Sequence, residues 1–147
     1  MTFQYKFDKI LGLKEKEKQD VYVKYSESIK KFEEVAEKLY NFLKKKENLL
    51  NEQQVKLQEG LSVHEIRHQQ YFMDNLEQMI SHYQQEVMFA REKMNKWQHV
   101  LIEKNIEVKK YEKIREKEYD KFSEQYKLFE KNQMDDISIQ TYLSKGN

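Results

Sequence analysis

From Phe3 to about Glu59, apolar residues recur in alternating steps of four and three. The stripe reads Phe7, Leu11, Val21, Tyr25, Phe32, Val35, Leu39, Phe42 and Leu49. Polar residues take the seam positions at Lys14, Lys18, Ser28, Lys46, Gln53 and Lys56. A stripe with this repeat keeps facing one neighbour only when two helices wind around each other. A second stripe runs from Val63 to about Gln133. It takes in Ile66, Met73, Leu76, Ile80, Tyr83, Val87, Ala90, Met94, Trp97, Leu101, Val108, Tyr111, Phe122 and Phe129. The pattern thus predicts one helix over about 3–59 and another over about 63–133. The first is weakest at Gly12 and the run Lys14–Lys18, where a looser or bent helix is expected.

Between the stripes stands Gly60-Leu61-Ser62. Glycine suits the left-handed residue that ends a helix. Ser62 is a good N-cap, and Glu65 stands where a capping box needs its carboxylate. Leu61 and Ile66 occupy the two staple positions. One helix stops and another begins within a turn at 60–62, which is too short for anything but an antiparallel return. The expected fold is all-α: a long antiparallel two-helix coiled-coil hairpin over 1–133. Facing residues then have numbers adding to about 122. Phe42 meets Ile80, Leu39 meets Tyr83, Tyr25 meets Trp97, and Leu11 meets Tyr111. Polar gaps also coincide, Gln53 with Gln69 and Lys18 with Lys104.

On that register Phe7 lies near Arg115, and the second helix then outruns the first. Tyr119, Phe122, Tyr126 and Phe129 still continue an aromatic stripe. Such an end frays, pairs with another copy, or docks into a different protein. The remaining tail, Met134 to Asn147, is expected to be flexible or to form a short extra helix.

Composition narrows the class. Charged residues make up 36% of the chain, proline and cysteine are absent, and the net charge is +1 with both signs interleaved. That mixture favours long helices and gives no long-range field to attract nucleic acid or an anionic bilayer. Disulfide and thiol chemistry are excluded. No apolar run is long enough to span a bilayer, and the start lacks the apolar block of a signal peptide. A cytoplasmic protein docked on something larger is expected.

His64-Glu65-Ile66-Arg67-His68 matches the HExxH zinc-protease pattern. No third ligand is identifiable, Glu65 already serves the cap, and a two-helix structure offers no cleft to exclude water. The match is read as chance. No catalytic residue, cofactor site or metal site is expected, and neither is a small-molecule substrate. The lysine-rich run Lys104–Lys121 carries many glutamates and reads as a solvated face. Trp97 reads as seam packing. Phe42, Leu49, Phe72, Leu76, Met79 and Tyr83 cluster near the turn, either as ordinary packing or as a contact surface.

The segment His68-Gln69-Gln70-Tyr71-Phe72-Met73-Asp74-Asn75-Leu76-Glu77-Gln78-Met79-Ile80 resembles the FliJ family of flagellar type III export proteins. So do the opening Phe3-Gln4-Tyr5-Lys6-Phe7-Asp8-Lys9-Ile10-Leu11 and the runs Glu103–Lys110 and Met134–Ser138. With the length and the glycine turn, the likeness covers nearly the whole chain. It implies an antiparallel two-helix coiled coil similar to the central stalk of rotary ATPases, with no enzymatic activity. It implies that the open end, with Phe7, Leu11, Tyr119, Phe122, Tyr126 and Phe129, enters the hexameric ring of the export ATPase FliI and promotes its assembly and activity. It implies that the stalk couples that ring to the export gate protein FlhA and escorts export chaperones, at the cytoplasmic face of the cell membrane. By position, the gate contacts of the family fall on Phe42, Leu49, Phe72, Leu76, Met79 and Tyr83. Phe72 and Leu76 keep the family's residue types. Met79 and Tyr83 differ, and Lys45 stands where enterobacterial members have an aromatic. The alternative is a structural, self-assembling coiled coil or a general holdase without an ATPase partner.

Overall fold

The computed structural model describes residues 2–145. Two long helices pack against each other: α1, Asp8–Glu59, and α2, Val63–Lys145. No strand forms among the described residues. The chain divides into two compact units, each containing part of both helices. One is Asp20–Leu101; the other joins the residues up to Gln19 with those from Ile102 onward.

The unit Asp20–Leu101 contains the turn. Gly60 adopts a φ of 95°, which a residue with a Cβ reaches only at a cost. The Ser62 hydroxyl accepts from the Glu65 backbone N–H at 3.2 Å, and the Glu65 carboxylate accepts from the Ser62 N–H at 3.4 Å. This reciprocal cap satisfies two N–H groups that a helix start leaves without partners. The helices return antiparallel: Lys46 reaches Glu77, the Arg91 guanidinium lies over Phe32, and Lys24 lies over Trp97. Val21, Ser28 and Val35 of α1 are buried with Met73, Leu76, Ile80 and Ala90 of α2. These are seam positions, one of them the polar gap at Ser28. One contact differs from the expected pairing: Phe42 stacks on Tyr83, because long side chains reach the next layer.

In the other unit, α1 begins at Asp8, later than expected. Residues 2–5 form neither helix nor strand, and the Asp8 N–H closes a turn onto the Tyr5 carbonyl at 3.2 Å. Tyr5 is buried against α2, and its hydroxyl donates to the Tyr111 carbonyl at 2.8 Å. That carbonyl has a second lone pair free beyond its helical bond. Tyr5, Leu11 and Val108 form a small core, flanked by Phe3, Phe7, Tyr111 and Ile114. Phe7 therefore meets Tyr111 at 6.1 Å and not Arg115. Through Gly12 and the Lys14–Lys18 run, α1 continues as unbroken α-helix. Here charge replaces the apolar seam. Glu17 accepts from Lys104 at 3.3 Å, and Lys14 lies 3.3 Å from Glu107. The expected meeting of Lys18 with Lys104 gives way to this opposite-charge pairing.

The second helix does not end near Gln133. It continues to Lys145, so the expected tail is helical throughout its described part; Gly146 and Asn147 lie outside the described residues. No glycine or proline interrupts 134–145, and the Thr141 hydroxyl turns back to the Ile137 carbonyl at 2.8 Å. No described helix is long and apolar enough to cross a membrane.

Candidate functional site

Near the turn, the positions 72, 76, 79 and 83 fall on one face of α2, because their steps of four, three and four follow the helical repeat. Leu76 is buried and anchors that face. Phe72 and Met79 flank it and remain 50% and 40% exposed. Across the groove, Phe42 stacks on Tyr83 with ring centroids 5.3 Å apart and planes at 17°. Lysines rim the pair: Lys38 lies over Tyr83, and Lys45 over Phe42 at 5.2 Å. Leu49 is half-buried. The arrangement is an apolar strip with a cationic border.

The second surface is built by the N-terminal segment that precedes α1. Phe3 packs edge-on against Tyr119 at 5.4 Å and against Phe122 at 5.5 Å. Phe122 stacks on Tyr126 at 6.3 Å, and Phe129 follows, 46% exposed. A hydrogen bond with Glu130 raises the Tyr126 pKa. Beyond Phe129, Met134, Ile137, Ile139, Tyr142 and Leu143 are all exposed. Phe7 is half-buried, and Leu11 lies in the core. Leu11 thus supports this surface from beneath and does not itself present a contact.

Sequence reasoning missed Phe3 and Tyr5. It drew helix 1 through them, whereas the structure makes them a strap that covers α2 as far as Phe122. Their signal was present: Phe3, Tyr5 and Phe7 alternate with polar residues at the period of an extended chain. The uncovered stripe accordingly starts after Phe122 and not after Arg115.

Between Gln19 and the strap lies the charged layer. A hydrogen bond from Lys104 holds the Glu17 carboxyl below its ordinary pKa, and Glu107 raises that of Lys14 through a hydrogen bond and its charge. Burial, with the Glu118 carboxylate next, raises the Tyr5 phenol. At the turn, the HExxH glutamate is engaged by Ser62, and His64 and His68 are exposed. No group of three or more His, Cys, Asp or Glu side chains converges as metal ligands among the described residues.

These surfaces suit docking between proteins. The family model for the flagellar FliJ protein matches residues 3–147. The chain belongs to the FliJ family. It is 47% identical to the flagellar FliJ protein of Bacillus subtilis (strain 168), over the full length of both chains. No solved structure matches. Membership makes this a flagellar protein.

Proposed function

We propose that this FliJ-family chain is a non-catalytic stalk of the flagellar type III export apparatus. The end of α2 binds in the ring of the export ATPase FliI and promotes its assembly and activity. The strip near the turn, with Phe42, Leu49, Phe72, Met79 and Tyr83 over the buried Leu76, engages the export gate protein FlhA. The chain also escorts export chaperones, and its partners hold it at the cytoplasmic face of the membrane. One observation carries the reading: an aromatic stripe runs on past the strap, through Tyr126 and Phe129, on a helix with no facing helix. Exposed apolar stripes of this kind mark interaction sites, and aromatic anchors dominate binding energy at interfaces.

The test is FliI ATPase activity with this chain and with its Tyr126→Ala/Phe129→Ala variant. Both residues lie outside the small core, so the variant folds. Stimulation is expected to fall by about tenfold or more. Equal stimulation by both chains refutes the docking assignment. Photo-crosslinkers placed at Phe72 and at Phe122 in cells are expected to capture different proteins.

A further inference from the structure

Within the unit Asp20–Leu101, well away from the turn, adjacent layers of the seam each carry a small residue. Ser28 of α1 and Ala90 of α2 are both buried. Neither fills its layer, and a notch of about 390 Å³ opens above them, lined by Lys24, Glu27, Ser28, Lys31, Ala90, Lys93 and Trp97. The Ser28 hydroxyl donates to the Tyr25 carbonyl at 2.6 Å, so the floor offers a visitor no free donor. Trp97 forms one wall, with the Lys24 ammonium 4.9 Å above its ring. The rim holds three ammonium groups and one carboxylate. None of Lys24, Lys31 and Lys93 takes part in an ion pair among the described residues.

An apolar notch with a net positive rim is complementary to an apolar side chain carried among carboxylates. The groove between two packed helices accepts the ridge of a third. On α1, Lys24 and Lys31 stand about one turn to either side of Ser28. We infer that the Ser28–Ala90–Trp97 notch is a docking site for an acidic helix of a partner protein. One large apolar side chain of that helix enters the notch, and carboxylates three or four residues to either side meet Lys24, Lys31 and Lys93. The site shares no residue with the surfaces assigned above and does not rest on their roles.

Trp97 is the sole tryptophan of the chain, so its emission reports on the notch directly. The probe is a capped peptide helix of alanine and glutamate with one central leucine. Controls replace the leucine with alanine, or every glutamate with lysine. The acidic leucine peptide is expected to shift Trp97 emission saturably. The alanine control and a Lys31→Glu/Lys93→Glu variant each weaken binding tenfold or more, and the lysine peptide gives no saturable response. Both substituted lysines are exposed, so circular dichroism of the variant matches that of the parent. No saturable shift, an equal response from the lysine peptide, or undiminished binding by the variant overturns the proposal. So does sedimentation of the chain alone showing self-association that the same variant abolishes, which assigns the notch to a second copy.

Discussion

Gly60 and Ser62 each perform one physical task, and each can be removed alone. At a φ of 95°, any side chain on Gly60 costs about 1–2 kcal/mol although no neighbour obstructs it. Ser62→Ala deletes the acceptor for the Glu65 N–H and is expected to cost about 1 kcal/mol. Urea denaturation followed by circular dichroism measures both. Glu17 predicts a pH effect. Lys104 keeps its carboxyl below the ordinary range, so in the folded chain it takes up a proton only at lower pH than in the unfolded one. Its stabilising contribution is complete above the ordinary glutamate range and is lost as pH falls through that range to the folded value. The melting temperature of Glu17→Gln is therefore expected to fall less steeply with acidification than that of the parent. Lys14, raised by Glu107, keeps its contribution through neutrality and loses it only above the ordinary lysine range.

At the scale of elements, the seam was legible because its physics is local. The heptad assigns Leu11, Val21, Val35, Met73, Leu76, Ile80, Ala90 and Val108 to the interior, and all are buried. Glycine, serine and glutamate in capping order marked the turn. Two elements were not legible. The strap Phe3–Phe7 has too few alternating residues to outweigh the helical pattern that follows it, and its conformation rests on a tertiary contact, Tyr5 with Tyr111. The last turns of α2 bury nothing, so burial periodicity carries no information there. The site was read in outline only. The stripe Phe122–Phe129 was visible, but which of its residues the strap covers was not. The charged layer was seen as gaps in a stripe, while its pairing of Glu17 with Lys104 and Lys14 with Glu107 needed three dimensions. Polar layers in coiled coils set register at a cost in stability. Replacing all four residues with leucine is expected to raise the denaturation midpoint yet loosen the register. In this cysteine-free chain, Leu11→Cys with Val108→Cys reports the native register and Leu11→Cys with Leu101→Cys a slip of one heptad. Oxidative crosslinking is expected to favour the first pair in the parent and to yield both in the leucine variant.

For the molecule as a whole, no described side chain is completely enclosed. Stability is then a sum of layers, each worth little, and it differs along the chain. Amide hydrogen exchange is expected to be fastest from about 124 to 144, where α2 has only its own hydrogen bonds. It is expected to be slowest around Val35 and Ile80, where apolar layers are successive and buried. Uniform protection along α2 shows instead that its end is covered by another molecule.

The seam shared by the two helices also makes the chain a length-keeping device. A residue inserted into either helix between Val21 and Leu101 turns every later side chain by about 100° and leaves the opposite helix out of step. Gains and losses are neutral for the packing only as whole heptads matched on both sides, at the turn, or beyond Phe129, where no facing helix has to be matched. A gene encoding this fold can therefore exchange residues freely and still resist insertions and deletions. The alignment with the Bacillus subtilis protein fits this: about half of the positions differ, yet it spans all 147 residues and both full chains.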